Sequence, residues 1–327
     1  MSGASFLVVP QWQGSGSSRA MRLIDGAEAI RGDLPAAATT VVPVPAAAGE
    51  SLGTGVHRFS ALTTVRDAAT AELMLLDAPV VTIGGDCAAD LASVQHAVAV
   101  AEPGSVALVW FDAHADINDV GSSPSSAFHG MVVRALLGDA PDGLASTGPS
   151  LLSPAQVILA GTRALDDDES AYIDEAGIRM LGPADLDDPA ALVAAVEATG
   201  ATSVYVHIDL DVLDPATISG IGHPEPFGVQ PEALCDAVRA LRGRFELAGA
   251  AITEFAPESP DAAGRDMAVI LRILGALTGR LGGGAGGVGG AAGAGGAGGA
   301  AGAGGGSSTG GAARHLSTDP RPADDAS

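Results

Sequence analysis

The sequence predicts an α/β fold, a three-layer α/β/α sandwich around a mostly parallel central sheet. Three observations predict it. Seven short runs are predominantly apolar, at 6–9, 40–44, 80–83, 106–111, 156–160, 203–208 and 248–252. Strands that read as continuous hydrophobic runs, without alternation, are buried on both faces. Longer stretches with helical spacing lie between them, at 61–77, 89–101, 189–199, 231–245 and 264–279. The polar residues able to do chemistry gather just past the carboxyl ends of the apolar runs, where open parallel sheets hold their sites.

Along the chain, each element has its own signals. The runs at 6–9 and 40–44 are Val-rich and the second is closed by Pro45. The run at 80–83 leads into Gly84, Gly85, Asp86 and Cys87, a turn in which paired glycines let backbone approach closely. The helix at 189–199 starts on Asp187, Asp188 and Pro189, and that at 231–245 on Pro231 and Glu232. The sequence places one domain at 1–280 and a Gly/Ala-rich disordered tail at 281–327. From 282 to 313 every residue is Gly, Ala, Val, Ser or Thr, and 18 of those 32 are Gly, so nothing large is available to bury.

Charge and cysteine content narrow the function. The formal charge of −23 repels nucleic-acid phosphates and anionic membrane surfaces, and it suits a cationic small molecule. Two cysteines, Cys87 and Cys235, cannot build a disulfide framework, which points to a reduced, cytoplasmic setting. The N-terminus lacks a basic segment followed by a long apolar one, so no signal peptide is expected.

Two strand ends carry the chemistry. The run at 106–111 is followed by Asp112, Ala113, His114, Ala115 and Asp116. In extended chain, residues two apart share a side, so Asp112, His114 and Asp116 would project together as a metal-site arrangement. The run at 203–208 leads into Asp209, Leu210 and Asp211 in the same way. Carboxylates crowded this closely repel one another unless a dication lies among them. Cys87 is either a thiolate ligand or an inert buried thiol.

The ordered set Gly84-Gly85-Asp86-Cys87, Asp112-Ala113-His114-Ala115-Asp116-Ile117-Asn118, His129-Gly130-Met131, His207 through Pro215 and Glu254 resembles the ureohydrolases. That family includes arginase, agmatinase and formimidoylglutamase, and the stretch around His114 looks most like arginase. The resemblance implies two Mn²⁺ ions and assembly as homotrimers or homohexamers. It makes Asp112 and Asp209 bridging ligands, Asp116 a ligand of the first ion, and His114 and Asp211 ligands of the second. The remaining first-ion ligand is ordinarily histidine, where this chain has Cys87. A thiolate favours Zn²⁺ or Fe²⁺ relative to Mn²⁺ and adds negative charge beside the activated water. A working site with altered metal preference, a weak first site and an inactive relative all remain open.

The implied reaction is hydrolysis of a guanidino C–N bond by water activated between two dications, releasing urea. By resemblance, Asp116 also takes a hydrogen bond from that water, His129 passes a proton to the leaving amine, and Glu254 holds the guanidinium. Asn118, Ser123 and Ser125 match positions that read an amino-acid carboxylate, and Asp166 and Glu169 match positions near the α-amino group. Ala127 stands where arginase has asparagine, which removes one polar contact. L-Arginine is therefore the first-choice substrate, with agmatine, another guanidino acid and a formimino compound as alternatives. His57, His96, His207 and His223 are read as structural. His207 shares a side with Asp209 and stands where the family often has serine.

Overall fold

The structure is a computed structural model that describes residues 4–77 and 79–279. Eight strands form one sheet in the order β2-β1-β3-β8-β7-β4-β5-β6. They are β1 (Ser5–Val9), β2 (Thr39–Val41), β3 (Val80–Gly84), β4 (Val106–Phe111), β5 (Val157–Ala160), β6 (Arg179–Leu181), β7 (Ser203–Asp209) and β8 (Glu246–Thr253). Every neighbouring pair is parallel, so the sheet is wholly rather than mostly parallel. All seven apolar runs became strands. The run at 40–44 shrank to three residues, because Pro43 has no N–H to continue a ladder. The eighth strand, β6, is a short, exposed edge strand whose sequence Arg-Met-Leu carries no apolar run.

The helices are α1 (Arg22–Arg31), α2 (Phe59–Leu73), α3 (Leu91–Val100), α4 (Val132–Leu136), α5 (Asp167–Ala176), α6 (Pro189–Glu197), α7 (Pro231–Arg244) and α8 (Pro260–Thr278). The strands sort their side chains by parity between two cores. Phe6, Val8, Val81, Ile83, Val109 and Phe111 pack with residues of α1, α6, α7 and α8. On the opposite face Leu108, Trp110, Leu159 and Tyr205 pack with residues of α3, α4 and α5, while Leu7 and Val9 pack with α2 and α3. This is the expected three-layer sandwich.

Helices α1, α4 and α5 were not legible as apolar stripes. In α5 only Glu169 and Ile173 are buried, so it has almost no hydrophobic face to detect. Helix α8 starts at Pro260, earlier than the spacing suggested, because the Ser259 side chain caps the amide of Ala262. The proposed tail at 281–327 lies outside the described residues. Among the described residues, no helix is long and apolar enough to cross a membrane.

Candidate metal centre

Four strand ends on one edge of the sheet supply the site. After β3 the chain turns at Gly85, where a Cβ would meet the Gln11 carbonyl oxygen at 1.8 Å, so only glycine fits. Asp86 is fully buried and holds this turn together. It accepts from Gln11 Nε2 at 2.9 Å, from the Gly14 amide at 2.8 Å and from the Ala88 amide at 3.0 Å. Burial, with the charge of Glu254, pushes its pKa up to about 7. The turn delivers Cys87 to the interior, 1% exposed.

After β4, the extended-chain reading needs correction. The strand ends at Phe111, and Asp112 to Asp116 form a compact turn rather than a continuing strand. Asp112 accepts from Trp110 Nε1 at 3.0 Å and from the His114 amide at 2.7 Å. Asp116 has φ +50°, in the left-handed region, which turns its carboxylate inward. The turn brings Asp112 and His114 together with Asp211, while Asp116 lines the same cleft as His114 without joining a donor group. The end of β7 behaves likewise. Asp209 accepts the Asp211 amide at 2.8 Å and so starts a single helical turn, while Asp211 accepts the Ala113 amide at 3.1 Å. After β8, Glu254 has φ +63° and accepts the Cys87 amide at 3.3 Å.

These turns bring together side chains far apart in sequence. Cys87 Sγ lies 3.2 Å from Asp209 Oδ2. His114 Nδ1 lies 3.1 Å from Asp211 Oδ2 and 3.4 Å from Asp112 Oδ1. Three donor groups each fall within 4.8 Å, namely Asp112 with His114 and Asp211, Cys87 with Asp209 and Glu254, and Cys87 with Asp112 and His207.

Electrostatics show what the cluster lacks. Burial, then the neighbouring carboxylates, raises the pKa of Asp112, Asp116 and Asp209 and lifts the Cys87 thiol well above its usual value. Burial opposes the charge on His114, yet the carboxylates of Asp112 and Asp211 push its pKa up to about 12. Burial likewise opposes ionisation of Asp211, but hydrogen bonds from His114 hold it below the ordinary range. One imidazolium cannot balance this many carboxylates. Asp116 Oδ2 is also buried without a hydrogen-bond partner. A buried oxygen left unpaired among acidic groups fits a cation, and the set of thiol, imidazole and carboxylates fits a divalent transition ion.

Above the cluster opens a cleft of about 460 Å³, lined by His114, Asp116, Asn118, Ser123, Ser125, His129, Asp166, Glu169, Asp209, Asp211 and His223. Asn118 Nδ2 donates to Asp166 Oδ2 at 2.9 Å, leaving Asn118 Oδ1 buried and unpaired. Asp166 caps α5 by accepting the Glu169 amide at 2.8 Å, and Glu169 returns the contact while also accepting the Ile117 amide. Ser123 and Ser125 accept amides of their own loop at 3.1 and 3.2 Å. Glu254 is not on the cleft wall. It is 2% exposed, sits 3.7 Å from His129 Nδ1, and borders a separate void of about 40 Å³ lined also by Ser15, Arg19 and Gly222.

His223 corrects the sequence reading, which took it as structural. Its ring centroid lies 5.3 Å from that of His129 and 6.2 Å from that of His114, at the cleft. Its Nε2 is buried without a partner. The Gly222-His223-Pro224 loop gave no periodic signal, so sequence reasoning could place no direction on the ring. His96 and His57 stay outside the cleft lining.

The arginase family model matches residues 31–277. The chain belongs to the arginase family. It is 29% identical to the arginase of Entamoeba histolytica over 184 residues, covering 54% of this chain and 62% of that one. It is 32% identical to Bacillus caldovelox arginase over 145 residues, covering 40% and 48%. The aligned stretches thus span less than two thirds of these relatives. Among solved structures, E. histolytica arginase in complex with L-ornithine aligns with TM-score 0.75 at 22% identity, covering 85% of this chain and 98% of that one. Formimidoylglutamase from Bacillus subtilis aligns with TM-score 0.63 at 17% identity, covering 85% and 88%. Both share the arginase-family fold.

Proposed function

We propose that this arginase-family chain is a two-metal hydrolase that cleaves a guanidino C–N bond and releases urea, with L-arginine as the first-choice substrate. The observation that carries the reading is the position of Asp112 and Asp209. Each belongs to a donor group with Cys87, and Asp112 also belongs to the group with His114 and Asp211. In this proposal Cys87, Asp112, Asp116 and Asp209 hold the first ion, and His114, Asp211, Asp112 and Asp209 hold the second. A bound pair of dications supplies activated water near neutral pH. Mn²⁺ is the family expectation, and the Cys87 sulfur shifts preference toward Zn²⁺ or Fe²⁺.

The chain's own groups do the rest. Glu254 lies off the cleft wall but 3.7 Å from His129 Nδ1, so a guanidinium reaching past His129 would meet its carboxylate, and that positive charge would offset the burial that raises its pKa to about 7. His129 is half-buried, and desolvation lowers its pKa, which favours the neutral ring that can relay a proton. Water oxygen adds to the guanidino carbon, the bond to the side-chain nitrogen breaks, and His129 delivers the proton to that nitrogen. Urea and a primary amine are the products. Asn118, Ser123, Ser125, Asp166 and Glu169 line the outer cleft and would read the substrate's polar end.

A second reading has its own observation. Cys87 in place of histidine crowds another acidic group among carboxylates, which favours a catalytically impaired relative that binds metal or ligand. A urea-release screen of arginine, agmatine and other guanidino compounds with Mn²⁺, Zn²⁺ or Fe²⁺ separates the two. Urea release supports the hydrolase. Metal binding without release from any compound supports the impaired relative. The proposal extends to a cytoplasmic homotrimer or homohexamer, read by light scattering on the purified chain, and to a catalytic domain at 1–280 that keeps its activity without 281–327.

A further inference from the structure

Taking the two-metal reading as its basis, we propose that His207, on β7, is a ligand of the first ion and supplies the imidazole that Cys87 does not. A ring nitrogen of His207, the Cys87 sulfur and an Asp112 oxygen all lie within 4.8 Å of one another. The three come from β7, the turn after β3 and the turn after β4.

The ring is held as metal-binding histidines are held. His207 Nδ1 lies 2.9 Å from Asp90 Oδ2, and the second Asp90 oxygen accepts from the Tyr205 hydroxyl. The indole of Trp110 stacks on the ring at a centroid distance of 3.4 Å and an interplanar angle of 3°. Asp90, Trp110 and His207 are all fully buried. A carboxylate at one ring nitrogen fixes the tautomer and makes the other nitrogen a more basic acceptor, the usual arrangement behind a metal-ligating histidine. Here the other nitrogen, Nε2, faces the Thr253 hydroxyl at 3.3 Å, and that hydroxyl is 3.5 Å from Cys87 Sγ. Nε2 is therefore the nitrogen on the Cys87 side. The same Trp110 also donates to Asp112 Oδ2 at 3.0 Å, so one side chain orients both the ring and a bridging carboxylate.

A histidine kept only for core packing needs no such aim. Sequence alone could not show it, because the alternation that puts His207 beside Asp209 says nothing about the distance to Cys87. With His207 included, the first ion is offered one thiolate, one imidazole and the carboxylates of Asp112, Asp116 and Asp209. That donor set suits a borderline transition ion better than Mn²⁺.

Cobalt(II) loaded into the full-length protein tests this through proton NMR of histidine ring N–H groups shifted by the paramagnetic ion. His114 is about one-third exposed, so its free N–H exchanges rapidly with solvent. The Nδ1–H of His207 is fully buried against Asp90, so the wild type should show one shifted, slowly exchanging ring N–H. His207→Gln should lose that signal and fall from two cobalt ions per chain to one. Asp90→Asn should keep the fold and weaken the first site by roughly 10- to 100-fold. Two cobalt ions with no protected shifted N–H in the wild type would overturn the assignment of His207 alone, even if His207→Gln fails to fold. No cobalt binding at all would overturn this assignment together with the two-metal reading.

Discussion

Cys87 Sγ sits 3.2 Å from Asp209 Oδ2, although the two are 122 positions apart in the chain. Burial and four neighbouring carboxylates keep the thiol protonated, so without metal the sulfur donates to Asp209. In the proposed centre a dication takes the place of that proton. Cys87→His removes the thiolate from the first site and should move its preference toward Mn²⁺, raising Mn²⁺-dependent urea release. Parallel metal titrations and activity assays check this. Unchanged metal content and activity would count against Cys87 as a ligand.

Metal removal should matter more at high pH. Glu254 rises from 4.5 to about 7 in the folded chain through burial, opposed by His223 and reinforced by Asp211 and Asp112. A raised pKa means the folded state keeps a proton that the unfolded chain releases between those values. The stability it contributes is full below about pH 4.5 and is lost as pH rises to 7. His114, raised to about 12 from 6.5, adds in the same direction above pH 6.5, and the lowered Asp211 acts only below the ordinary carboxylate value of 3.8. Chelation should therefore lower Tm more at pH 8 than at pH 5, by at least about 4 °C. Equal losses in thermal melts at both pH values would contradict the electrostatic picture.

His129 and Glu254 should fail differently. His129→Asn leaves the donor groups intact and should lower kcat by about 10²- to 10⁴-fold with metal content unchanged. Glu254→Gln keeps an acceptor for the Cys87 amide but drops the charge facing a guanidinium, so kcat/KM should fall by about 10²-fold with much of the loss in KM. Steady-state kinetics with metal analysis of both variants checks the split.

Arg163 braces the loop that carries Asp211. Its guanidinium donates to the carbonyls of Asp211 at 2.8 Å, Glu225 at 2.9 Å, Gly161 at 3.0 Å, Pro226 at 3.1 Å and Val212 at 3.2 Å. A lysine ammonium lacks the planar fork needed to reach them together. Arg163→Lys should cost about 1–3 kcal/mol of stability and loosen metal at His114 and Asp211. Chemical denaturation and metal titration measure the two effects.

Much of this was legible in the sequence because burial writes itself as apolar runs. The strand Val106–Phe111 shows no alternation, since both its faces are covered, and its end marked Asp112. What stayed hidden lacks such a signature. Edge strand β6 and helix α5 bury too little to show a pattern. Cleft placement of His223 depends on a Gly/Pro loop whose path no periodicity sets. The partnership of His207 with Asp90 spans 117 residues and exists only once β7 lies beside the turn after β3. Extended chain would join Asp112, His114 and Asp116, whereas the turn brings Asp112 and His114 together with Asp211 and sets Asp116 apart at positive φ.

The most direct test is a crystal structure of the metal-loaded chain with anomalous scattering at the metal edge. Two peaks should appear between the strand ends, bridged by Asp112 and Asp209, one near Cys87 and the other near His114 and Asp211. A single peak, or metal bound away from these carboxylates, would contradict the two-metal centre.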